Sequence, residues 1–208
     1  MKRIFCFGLV VSACGFAQAN LVSNGSFEVA NGTFVGDSTN VMSLATGSTT
    51  VSGWTVFGGS VAWIENQNPT PWYKASDGVR SLDLTDTRDA QPYGGVTQDV
   101  TTVAGQYYIV SFDLGIHSRY SSTICCIQAA AADFQQIYTA EAVAGKQTWT
   151  TNTFTFKATS NITKLQFLGA LATPADIGLD NVSMVAVPEP STWLAMGLGF
   201  ALLARRKR

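Results

Sequence analysis

Across residues 20–187 the chain has no long segment with apolar residues at a 3.6-residue spacing, which excludes a helical framework. Short runs rich in β-branched and aromatic residues recur instead, separated by turn residues. The cleanest is 149–157, where Trp149, Thr151, Thr153, Thr155 and Lys157 share one face and Phe154 and Phe156 the other. Similar runs fall at 53–57, 60–64, 81–84, 95–100, 107–114, 123–130, 164–169 and 179–186. Gly58-Gly59, Asp77-Gly78, Gly94-Gly95 and Ala104-Gly105 supply turns between them. Nine such runs predict an all-β fold, a two-sheet antiparallel β-sandwich of jelly-roll type. The stretch 129–132 also reads as a helical turn.

The two ends follow a different logic. Lys2-Arg3, an apolar run to Phe16 and Ala17-Gln18-Ala19 have the order of a secretory signal peptide, with Ala17 and Ala19 at the cleavage site before Asn20. An alternative is a lipobox at Val11-Ser12-Ala13-Cys14, which would make Cys14 the lipidated terminus. At the far end stand Pro188-Glu189-Pro190, an apolar run from Trp193 to Ala204, and Arg205-Arg206-Lys207-Arg208. Twelve residues span only ~18 Å as a helix against a hydrocarbon core of ~30 Å. Snorkelling basic side chains and Trp193 extend that reach, so a short transmembrane helix is expected beside the N-terminal signal helix. The positive-inside rule places the basic tail in the cytoplasm and the body outside.

This tail resembles the PEP-CTERM sorting signal. The resemblance implies processing by exosortase after signal peptidase, a transient inner-membrane anchor, and delivery to the cell surface or extracellular matrix of a Gram-negative bacterium. The expected organisation is a signal peptide over 1–19, a sandwich domain over 20–187 and a sorting segment over 188–208.

The formal net charge of −1 hides an uneven distribution. Residues 20–187 hold seven Lys/Arg against thirteen Asp/Glu, a net of −6, and the ends carry all six remaining basic residues. An acidic body argues against nucleic-acid binding, which needs a basic surface. With 46% hydrophobic residues the chain is also no candidate for disorder.

Catalytic chemistry finds few parts. His117 is the only histidine, no His/Cys set has zinc spacing, and no phosphate-binding glycine motif is present. Asp83, Asp86 and Asp89 could supply paired carboxylates for a glycan-acting hydrolase, but beside Arg88 they read more simply as a solvated loop. Aromatic rings beside expected loops are candidates for stacking on sugars: Trp63, Trp72, Tyr73, Tyr93 and Tyr120, with Arg119 as a planar polar partner. Trp54, Trp63 and Trp149 also read as core residues. Cys125-Cys126 leaves open a vicinal disulfide, two buried thiols or an intermolecular link.

The ordered set Asn24-Gly25-Ser26-Phe27-Glu28, Gly53-Trp54, Ser76-Asp77-Gly78-Val79-Arg80, Gly95-Val96-Thr97-Gln98 and Leu179-Asp180-Asn181-Val182-Ser183 resembles the choice-of-anchor C family of bacterial surface proteins. That family has a galactose-binding-like sandwich and is related to a plant cell-wall domain of unknown function. The resemblance implies a non-catalytic module with a carbohydrate-binding role, the partner being an exopolysaccharide or other glycan. A structural or adhesive matrix protein is the alternative. The resemblance also implies a structural Ca²⁺, with carboxylates from Glu28, Asp77 and Asp180 and backbone carbonyls from Ser26 and Arg80.

Overall fold

A computed structural model describes residues 18–66, 74–88, 91–117, 124–142, 146–172 and 176–188. They form eleven strands: β1 (Val41–Leu44), β2 (Thr55–Gly58), β3 (Val61–Glu65), β4 (Arg80–Asp83), β5 (Gly94–Thr101), β6 (Tyr107–His117), β7 (Ile124–Ala131), β8 (Phe134–Glu141), β9 (Gln147–Lys157), β10 (Ile162–Ala172) and β11 (Gly178–Ala186). A six-stranded sheet runs β1-β3-β4-β11-β6-β9 and a five-stranded sheet runs β2-β5-β10-β7-β8, all neighbours antiparallel. Among the described residues the only helical element is a 3-10 turn, Asp86–Arg88.

Period-two alternation builds the core. Along β6, Tyr108, Val110, Phe112, Leu114 and Ile116 are buried, and Leu165 and Phe167 of β10 face them from the other sheet. Phe112 meets Phe167 with ring centroids 5.0 Å apart. Phe154 and Phe156 point inward from β9, as the alternation requires. Trp54 and Trp63 are fully buried in the core, so Trp63 is no sugar platform.

Several expectations need correction. The stretch 129–132 ends a strand rather than forming a helical turn: β7 runs to Ala131 and returns through Ala132, at φ 52°, into β8. The 83–86 segment is not solvated. Asp83 and Asp86 are both buried, and Asp86 at φ 56° accepts from Ser60 Oγ at 2.7 Å; Asp89 lies outside the described residues. Trp149 sits outside the main core, half-buried, its ring lying over Gly115 on the outer face of the six-stranded sheet.

Cys125 and Cys126 are buried free thiols. Burial, with Cys126 alongside, pushes the Cys125 thiol up to about 12. Burial also raises Cys126. The thiolate is the reactive form. Native protein cleaved before Asn20 is therefore expected to resist iodoacetamide at neutral pH and to take up two labels per chain once unfolded. Rapid native labelling, read by mass spectrometry, would contradict this.

Candidate functional site

Two surfaces carry the chemistry. The first is the outer face of the six-stranded sheet, where the segment leading into β4 is strapped across the strands. At Lys74 the backbone carbonyl accepts from Trp149 Nε1 at 2.9 Å and Gln147 Nε2 at 2.7 Å, both from β9. Two residues on, Ser76 Oγ donates to Asp113 Oδ2 of β6 at 2.7 Å. Asp113 also accepts from Thr151 Oγ1 at 2.6 Å and Asn181 Nδ2 at 3.1 Å. The backbone N–H groups of Ser76 and Asp77 then donate to Asp180 Oδ2 at 2.7 and 3.0 Å. Glu28 Oε1 ends the strap, accepting from the N–H groups of Val79 and Arg80, both at 2.8 Å. Arg80 returns a bond from its guanidinium to the Glu28 carbonyl at 2.6 Å and pairs with Glu65. Its guanidinium also lies 4.8 Å from the Phe34 ring centroid and 5.1 Å from that of Trp63.

The sequence motifs thus converge in space. Glu28, Asp77, Arg80 and Asp180 belong to one end of this strap, Ser26 stands two residues before Glu28 in the chain, and Asp113, Thr151, Asn181 and Gln147 join them unforeseen. A polar residue facing outward from a strand looks like ordinary solvated surface, so Asp113 carried no distinguishing signal. Calcium would need six to eight oxygens turned toward one point. Here Glu28 Oε1 and both oxygens of Asp180 face N–H donors. Asp77 is exposed, and among the described residues no three His, Cys, Asp or Glu side chains come together as a metal set. As placed, these carboxylate oxygens hold the turn through backbone N–H donors. Burial pushes Asp180 up to about 7, against the lowering effect of the amides it accepts from.

The second surface is the open face of the five-stranded sheet. Strand register sets Thr55, Thr97, Gln166, Ala130 and Gln135 in one row across it. The adjacent row is Phe57, Gly95, Leu168, Gln128 and Ile137. Gly95 is required here: a Cβ would meet two atoms of the Phe57 ring at 2.9 Å, so the ring packs against the strand at this glycine. Half-buried Tyr93 packs against the core at the foot of β5. Trp72, Tyr73, Arg119 and Tyr120 lie outside the described residues, as do Ala17, Glu189, Pro190, Arg205, Arg206, Lys207 and Arg208. Ala19 and Pro188 are exposed where the chain enters and leaves the sandwich.

An all-β, two-sheet sandwich leading directly into a C-terminal sorting motif defines the class: an exported, sorted β-sandwich protein. Residues 186–208 match the PEP-CTERM protein-sorting motif. The chain belongs to the family described as "Protein of unknown function (DUF642)", which matches residues 20–175. Halomucin of Haloquadratum walsbyi is 30% identical over 178 residues; these cover 83% of this chain but 2% of halomucin. Solved structures similar to it include TmCBM61 in complex with beta-1,4-galactotriose, at 16% identity and a TM-score of 0.47, covering 82% of this chain and 99% of that one. The CBM22-1 xylan-binding domain of Paenibacillus barcinonensis Xyn10C is similar at 16% identity and a TM-score of 0.44, covering 76% and 99%.

Proposed function

We propose that this chain is a membrane-tethered, exosortase-processed surface or matrix protein. On this reading its sandwich is non-catalytic and binds a neutral glycan on the open face of the five-stranded sheet. One observation carries the glycan reading: an aromatic ring, Phe57, shares this open face with side-chain amides that have no hydrogen-bond partner among the described residues, those of Gln128, Gln135 and Gln166. Sugars present an apolar face for a ring and hydroxyls for planar amides, and neither requires charge. The organisation, a sandwich followed by an anchor, is the one the choice-of-anchor C resemblance implies.

Detergent-solubilised full chain on a glycan array is expected to retain neutral polysaccharides. Phe57→Ala should weaken retention about tenfold, the size expected for an aromatic ring that anchors an interface. An array that stays silent would favour a structural or adhesive protein without a ligand site. Shortening of retained glycans would favour a hydrolase.

A further inference from the structure

Both ends of the sandwich leave from one tip. Asn20 Oδ1 accepts from the Met184 N–H at 2.9 Å, and Leu21 N–H donates to the Met184 carbonyl at 2.9 Å. Val187 N–H donates to the Tyr107 carbonyl at 2.8 Å, and Gln106 Nε2 donates to the Val187 carbonyl. The 102–106 and 158–161 turns complete this tip. They are locked together: Gly105 N–H donates to the Ala158 carbonyl at 2.7 Å, Ala158 N–H to that of Gln106 at 2.9 Å, and Thr102 N–H to that of Asn161 at 2.9 Å.

The tip is chemically unlike the rest of an acidic body. Val103 is 64% exposed, Ile162 62% and Tyr107 52%, and Lys157 Nζ stands 5.6 Å from the Tyr107 ring centroid. Residues 18–23, 101–107, 157–163 and 184–188 contain no Asp or Glu. Exposed apolar side chains, a tyrosine and a lysine with no ion pair among the described residues suit the headgroup layer of a bilayer. Chain length brings that layer within reach. Five residues separate Val187 from Trp193, where the apolar run begins, and they span at most ~18 Å when extended.

We propose that this tip is a membrane-docking surface: Val103, Tyr107 and Ile162 rest in the headgroup layer of the bilayer holding the tail, with Lys157 against lipid phosphate. The inference rests on the tail reading above. Docking stands the sandwich end-on, keeps the glycan face clear of the bilayer, and holds Pro188 at the membrane surface where a membrane-embedded transpeptidase works.

Full-length chain is reconstituted into vesicles of phosphatidylethanolamine and phosphatidylglycerol, and amide exchange is compared with the same chain in detergent. Flotation with the vesicles reports tail insertion by itself. Amides of the 102–106 and 158–161 turns should exchange about tenfold more slowly in vesicles. The double variant V103E/I162E, at exposed positions, should still float and melt as the parent does but lose that protection. Ile124→Glu, exposed at the far end of the sandwich, should keep it. Flotation without tip protection, or protection that survives V103E/I162E, overturns the docking surface alone. Protection that appears only when exosortase is added overturns it in favour of an enzyme contact. Failure to float overturns the tail reading and the docking surface together.

Discussion

Trp63→Ala is expected to destabilise the sandwich by about 3–5 kcal/mol, a large share of what a domain of this size possesses. The side chain is fully buried, and its Nε1–H donates to the Phe27 carbonyl at 2.9 Å. Trp54 Nε1–H performs the same task for the Asn24 carbonyl at 3.0 Å. Two indoles therefore pin a turn in which Asn24 (φ 51°) and Phe27 (φ 58°) both adopt left-handed backbone. That turn aims Glu28 at the amides of Val79 and Arg80. Trp63→Phe keeps most of the packing but strands the Phe27 carbonyl, and should cost about 1–3 kcal/mol. Urea unfolding separates the two, the midpoint falling with an unchanged slope. Amide exchange of residues 76–80 should quicken in both variants. A loss below about 1 kcal/mol for Trp63→Ala would remove the indole as the turn's anchor.

Strand chemistry made the fold legible. β-branched and aromatic content identified β6 at 107–114, and alternation in 149–157 identified β9 with Phe154 and Phe156 on one face, the one the structure turns inward. Two strands escaped. β1, Val-Met-Ser-Leu, is too short to show a period, and β8 places Gln135, Gln136 and Thr139 among its inward aromatics. The family resemblance, not spacing, grouped Glu28, Arg80 and Asp180, which the structure places at one end of the strap. It could not show that Gln147 and Trp149, more than 70 residues from Lys74, would clamp that segment. It also could not separate Gln128 and Gln166 from ordinary solvated positions. Only strand register sets these two on the same open face as Phe57.

The domain should melt higher in mild acid than at neutral pH. Burial raises Asp180 to about 7, and burial with Asp176 nearby raises Asp83 well above its usual range. For an acid with a raised folded pKa, stability is fully present below the unfolded value of 3.8 and is lost as pH climbs through the folded one. Between those limits the unfolded chain ionises while the folded carboxyl stays protonated. The melting temperature should therefore fall by about 5–10 °C from pH 4.5 to pH 8. The exposed Asp37, lowered first by its bond from Thr39, acts in the opposite sense, at lower pH. Asp180→Asn removes one titrating group and should flatten the slope, although its amide cannot accept from every N–H that Asp180 serves. A flat profile in the parent would show that the donors they accept from, the strap amides for Asp180 and Thr85 with Ile177 for Asp83, hold both carboxylates ionised. The same titration tests the calcium expectation. An ion bound by Glu28, Asp77 and Asp180 would keep Asp180 ionised, so calcium would raise the melting temperature at pH 8 and remove the Asp180 share of the slope, and EDTA would restore it. Coincident curves with and without calcium would leave the turn anchored by its amides alone.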